Sequence, residues 1–199
     1  MLNKPICMIL TLFVLISCQK NTSQLIPFEE NGFWGYKDVR GKIIIKPQFV
    51  LANDFMGEIA AVAKQDGWYF INKSGEILKI RPFVIDNGPD YFQEGLARFR
   101  LDDKIGFLNE FGRIVIAANF QYVLPFSENL AAFCTGCKEV EAVEHSFVEG
   151  GKWGFINRDG DVVISPKFDA VKQFFKDGKA VVKLNDEWVS IDKEGRILK

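Results

Sequence analysis

Gly151-Lys152-Trp153-Gly154-Phe155-Ile156-Asn157-Arg158-Asp159-Gly160-Asp161-Val162-Val163-Ile164-Ser165-Pro166-Lys167-Phe168 sets two apolar runs on either side of a four-residue turn. Side chains alternate along a strand, so Trp153 and Phe155 take one face and Gly154 and Ile156 the other. Asn157 at the head of the turn bonds the backbone ahead of it, and Gly160 accepts the positive φ that ends it. A type I turn followed by a Gly bulge is a common hairpin connection. The stretch therefore reads as a β-hairpin. Proline has no amide to give a ladder, so Pro166 is expected to end the second strand.

The same pattern recurs along the chain. Trp34, Trp68, Ile105, Trp153 and Trp188 fall in one register, separated by 34, 37, 48 and 35 residues. Four residues on stand Asp38, Asn72, Asn109, Asn157 and Asp192, and three further on Gly41, Gly75, Gly112, Gly160 and Gly195. A period in the mid-thirties with one insertion marks a stacked array. Gly35, Gly106 and Gly154 imply a close approach, expected here from the neighbouring repeat. Tyr69 and Val189 in the same slot show that this approach is not obligatory. Pro47 and Pro166 share another slot, with Ala118 in the odd copy and Pro82 one residue later in the second copy. Then come Phe55, Phe92, Phe126 and Phe174 or Phe175, and a short strand built on Ala60, Ala97, Ala131 or Ala180, which returns to the next Trp through a tight turn. Each unit is thus about three antiparallel strands. The Trp and its ring two residues on (Tyr36, Phe70, Phe107, Phe155) alternate as a core stripe should.

These residues resemble the WG-repeat, or KWG, family of bacterial proteins, whose pattern G-x-W-G-[FY]-[IL]-[ND]-x-x-G-x-[IV]-[IV]-I-x-P-x-F is clearest at 151–168. The resemblance covers roughly 31–199, with departures at Ile105, Tyr69, Val189 and Ala118. It implies an all-β tandem array, frequent in secreted and surface proteins, with no general catalytic residues to carry over. Three strands per copy fit an open, solenoid-like array, with a propeller as the alternative.

Outside the array the chain opens on a leader. Lys4 precedes an apolar stretch from Ile6 to Ile16, too short for a confident membrane span. Leu15-Ile16-Ser17-Cys18 resembles the lipobox of bacterial lipoproteins. By that resemblance 1–17 is a cleaved signal peptide and Cys18 carries the acyl chains that anchor the protein to a membrane of the cell envelope. Residues 18–30 supply the lipidated end, a polar tether and a first strand. The copies then run approximately 31–64, 65–101, 102–150, 151–183 and 184–199, the last serving as a cap. With 25 basic against 26 acidic residues, the charge balance argues against a nucleic-acid partner.

Chemistry concentrates in the insertion of the third copy, 134–151. Cys134 and Cys137 form a C-x-x-C pair, and His145, the only histidine, follows among Glu139, Glu141, Glu144 and Glu149. Three readings stand open: a disulfide in an oxidising envelope, a metal site of Cys134, Cys137 and His145, and a thiol-disulfide exchanger. No carboxylate couple, serine triad or phosphate-cradling loop stands out. The expectation is a non-catalytic protein without a cofactor, presenting a surface to a protein or cell-wall partner, with the insertion as the first place to look. The alternatives are a glycan- or peptidoglycan-binding module and metal or thiol chemistry at the insertion.

Overall fold

The computed structural model describes residues 24–85, 88–140 and 147–198. The expected signal peptide, Cys18 and His145 lie outside the described residues. Within them every element is a strand, and the strands form five antiparallel sheets of three or four strands in chain order, with one separate two-stranded ribbon. Sheet 1 holds β1 (Leu25–Glu30), β2 (Phe33–Asp38) and β3 (Ile43–Phe49); sheet 2 holds β4 (Leu51–Ala52), β5 (Ile59–Lys64) and β6 (Gly67–Asn72). Sheet 3 holds β7 (Arg81–Pro82), β10 (Leu96–Leu101), β11 (Lys104–Asn109) and β12 (Ile114–Phe120) in the order β12-β11-β10-β7, and a small ribbon of β8 (Val84–Ile85) and β9 (Gly88–Pro89) lies in the chain between β7 and β10. Sheet 4 is β13 (Tyr122–Val123), β14 (Ala131–Val140), β15 (Phe147–Ile156) and β16 (Val162–Phe168). Sheet 5 is β17 (Ala170–Lys176), β18 (Lys179–Leu184) and β19 (Glu187–Ile191).

All five [DN]-x-x-G turns form, with one geometry. Oδ1 of Asp38, Asn72, Asn109, Asn157 and Asp192 each accepts the amides two and four residues ahead, at 2.8–3.1 Å. The closing glycines have φ between 73° and 88°. A side-chain acceptor that satisfies two turn amides at once explains why only Asp or Asn occupies the slot.

Four apolar cores lie between consecutive sheets. The first joins Tyr36, Ile45 and Phe49 of sheet 1 to Ala60, Val62 and Ile71 of sheet 2. The second joins Ile59, Ala61 and Phe70 to Ala97, Phe99 and Leu108. The third joins Ile105, Phe107 and Ile116 to Ala131, Phe133 and Ile156, and the fourth Trp153, Phe155 and Phe168 to Ala180, Val182 and Ile191. Each middle sheet is buried on both faces, so its strands read as near-continuous apolar runs. Among the described residues no core joins sheet 5 back to sheet 1, and the array is open. At the ends the pattern turns polar. Lys37 replaces the buried Ile71, Leu108, Ile156 and Ile191 of the other sheets, and Ser190 replaces the buried ring at 36, 70, 107 and 155. These changes cap the stack. Trp188, on the outer face of the last sheet, is 47% exposed, whereas Trp153 is buried.

Two expectations are corrected. The close approach at Gly35, Gly106 and Gly154 comes from the unit's own third strand, not from the neighbouring repeat. A Cβ on Gly154 would lie 2.4 Å from Ile164 O and 2.8 Å from Pro166 N, and Gly35 and Gly106 meet Ile45 O and Ile116 O at 2.5 Å. Nor does proline end the strand: β3 and β16 run through Pro47 and Pro166. Trp34 pairs with Phe49 and Tyr36 with Ile45, so three residues on one strand oppose a single glycine on the other. Trp153–Phe168 and Phe155–Ile164 repeat this. The proline sits in that bulge, where no ladder amide is needed. β6 and β19 carry no such strand across them, which is why Tyr69 and Val189 are tolerated.

The sheets are also out of phase with the sequence copies. Sheet 2 starts with β4, supplied by the tail of the first copy, and the chain passes from one sheet to the next immediately after Phe49, Phe120 and Phe168.

Candidate binding surface: a hairpin arm and an inter-sheet cleft

The insertion forms a hairpin arm. β14 and β15 are ten residues each and pair from Ala131–Ile156 out to Val140–Phe147, whereas the other central strands have five to seven. Their inner halves pair with β13 and β16 in sheet 4; past Cys134 and Trp153 the two strands pair only with each other among the described residues, and Val148 packs against the core between sheets 4 and 5. Arg100 of sheet 3 braces the arm through a charge-assisted contact to Glu139 at 2.6 Å.

Cys134 and Cys137 lie at the base of the arm, both buried in the core between sheets 4 and 5. Residues three apart on a regular strand point to opposite faces. Gly136, with φ of 71°, breaks that alternation and returns Cys137 to the face of Cys134. Its amide donates to Gln121 Oε1 at 2.7 Å. Across the hairpin Gly151 must also be glycine: a Cβ there would lie 2.5 Å from Thr135 O and 2.8 Å from Cys134 Sγ. Both thiols are free in this structure. Burial, then contact with Cys137, pushes the Cys134 thiol up to about 12, so at neutral pH it is protonated and a poor nucleophile. Among the described residues no three His, Cys, Asp or Glu side chains converge on a metal position.

A feature the sequence reading missed lies between sheets 2 and 3: a cleft of about 420 Å³ lined by Met56, Trp68, Phe70, Pro82, Phe92 and Leu108, among others. Tyr91 stands at its mouth, 76% exposed. Its wall is built on a buried ion pair. Arg98 Nε donates to Asp90 Oδ2 at 2.8 Å and Nη2 to Oδ1 at 3.2 Å, while Nη1 donates to Val123 O of sheet 4 at 3.1 Å. The guanidinium also lies 4.0 Å from the centroid of Phe83. Asp90 falls in the longer loop of the second copy, where only its pairing with Arg98, two residues after Leu96, could have betrayed it. Neither residue belongs to the repeat pattern.

A third feature ties the edges of the sheets together. The tight turns before β10, β14 and β18 carry positive φ at Glu94–Gly95, Glu128–Asn129 and Asp177–Gly178. The Glu94 carboxylate accepts the amides of Glu128 and Asn129 (2.6 and 3.0 Å), and the Glu128 carboxylate accepts that of Gly178 (3.0 Å). Lys193, followed by the Gly178 amide, holds the Glu128 carboxyl below its usual range.

A family model described as "WG containing repeat" matches residues 34–68, 70–104, 105–136 and 153–188. The gap between the last two matches, 137–152, contains the outer part of the arm. A comparison with curated proteins finds no match.

Proposed function

The chain belongs to the WG-repeat family, and from that membership we propose that it is a non-catalytic, lipid-anchored protein of the bacterial cell envelope that presents its β-repeat stack to a protein or envelope partner. Stacks of repeats offer extended rigid surfaces, and insertions within them often carry the binding face. The observation that carries the reading is the arm, the one stretch between the first and last family matches that departs from the repeat over many residues, and whose two strands continue past their other partners in sheet 4. Cys18 is the anchor in this reading, and the tether to Gln24 sets the stack off the bilayer.

Two measurements test it. Mass spectrometry of the membrane-extracted protein should find an N-terminal acylated cysteine at Cys18, and Cys18→Ala should release the protein from membranes. Cross-linking in intact cells should recover a partner that is lost when 139–148 are replaced by Asn-Gly. An unacylated soluble product defeats the anchor; cross-links indifferent to the arm defeat the binding face.

A further inference from the structure

Three glycines with positive φ, Gly136, Gly150 and Gly151, sit inside the paired length of β14 and β15 rather than in a turn. The register passes from Thr135–Lys152 directly to Cys137–Gly150. The corresponding pairs β5–β6, β10–β11 and β18–β19 keep an unbroken register. A distortion of this kind re-aims side chains, and here it turns Cys134 and Cys137 into one apolar cluster between sheets 4 and 5. Cys134 Sγ stands 2.8 Å from the point a Cβ of Gly151 would occupy, so the glycine makes room for the sulfur.

Both thiols are buried, yet Thr135 and Gly136 between them are exposed, so the pair lies directly beneath the surface. After burial, contact with Cys137 is what raises the Cys134 thiol. The amides of Cys137 and Lys152 act the other way: directed at Cys134 Sγ, they favour the thiolate. Among the described residues no third His, Cys, Asp or Glu side chain converges on the two sulfurs. Structural zinc takes four ligands, and calcium and magnesium take oxygen. Two soft donors with nothing beside them match a soft, closed-shell, monovalent ion, which needs only two sulfurs in line.

We propose that Cys134 and Cys137 form a two-coordinate site for Cu(I), held as a bis-thiolate at the base of the arm. On loading, two S–H bonds break, two Cu–S bonds form and two protons leave to solvent. No electron moves, since the ion enters and stays as Cu(I). The ion displaces protons that the buried thiols otherwise keep at neutral pH. The resulting complex carries one negative charge, and the two amides directed at Cys134 Sγ support it as outer-shell donors. Trp153 pairs with Cys134 across the ladder and lies in the same cluster, so its indole reports the ion. The site needs neither the lipid anchor nor a partner, and it stands or falls apart from the arm as a binding face.

The probe is Cu(I) itself, delivered without oxygen as its complex with the chelator bicinchoninate. The target is the reduced full chain in detergent with Cys7 and Cys18 changed to serine, which leaves Cys134 and Cys137 as the only thiols. One ion per chain is expected, with quenched tryptophan fluorescence and an X-ray absorption spectrum showing two sulfur donors and no nitrogen or oxygen. Cys134→Ser and Cys137→Ser should each lower the affinity by more than about 100-fold, beyond what loss of a merely supporting partner costs. Replacing 139–148 by Asn-Gly removes His145 and the proposed binding face, and should leave the affinity within about threefold. The absorption spectrum is read with both thiols intact, so it decides even where a serine variant does not fold. No ion retained against the chelator, a third donor in the spectrum, or loss of binding in the shortened arm overturns the proposal. Displacement by an equal concentration of Zn(II) overturns the choice of ion.

Discussion

A methyl group at Gly154 would stand 2.4 Å from one backbone atom and 2.8 Å from another, closer than any real carbon tolerates. Neither neighbour is the end of a flexible side chain, so Gly154→Ala is expected to cost about 3 kcal/mol, the upper part of the overpacking range. Denaturant unfolding measures this. The buried pair offers a sharper test. Asp90→Ala leaves the Arg98 guanidinium buried without its carboxylate, and a loss of about 3–5 kcal/mol is expected. Cys134 predicts a pH dependence. Its thiol rises from the ordinary 9.0 to about 12 on folding, so the unfolded chain loses the proton first as pH climbs. Its contribution is complete below about pH 9 and is lost as pH rises toward 12. Unfolding free energy should fall across that window, less steeply in Cys134→Ala. Tyr36 and Tyr122, raised in the same direction by burial, contribute to the slope that remains.

At the scale of the element, the hairpin turns were fully legible, because a side chain that bonds two amides and a glycine that turns them leave no other residue choice. Asn157→Ala removes the bonds to the Asp159 and Asp161 amides and should cost about 1–2 kcal/mol. Asn157→Asp should be nearly neutral, since Asp38 and Asp192 do the same work elsewhere. The bulge was half legible. Glycine and proline were seen as separate signals, one of closeness and one of termination, but they are two sides of one contact across three-against-one pairing. The arm was located by its insertion, although its strand character was hidden by Gly136, Gly150 and Gly151, which read as loop. Replacing 139–148 by Asn-Gly joins the cross-strand partners Lys138 and Glu149 and sacrifices the half-exposed Arg100–Glu139 pair. Such pairs contribute about 1 kcal/mol or less, so the Tm should shift by only a few degrees while partner cross-linking disappears. The cleft was not legible as a site, although the second copy carries Lys79 where three sister copies place isoleucine.

Across the whole molecule, stability is a sum over four interfaces between neighbours rather than one shared core. Deleting 170–199 uncovers Trp153, Phe155 and Phe168 on sheet 4, and the truncated chain is expected to aggregate, as size-exclusion chromatography with light scattering will show. The equivalent loss at the front end uncovers the Ala60, Val62 and Ile71 face of sheet 2. Sequence reading found the period and the cap but not the carboxylate column of Glu94 and Glu128, since those residues sit in turns whose spacing is unremarkable until the sheets are laid face to face.

The phase offset between copy and sheet bears on how such a molecule could lengthen. Each layer takes its leading strands from the sequence copy upstream, yet its strands are consecutive in the chain, 51–72 for sheet 2 and 122–168 for sheet 4. A duplication of one whole period, wherever its breakpoints fall, rebuilds a complete additional layer and leaves the original end caps in place. Growth by single periods is therefore seamless, and the number of layers can drift while the two terminal surfaces stay constant.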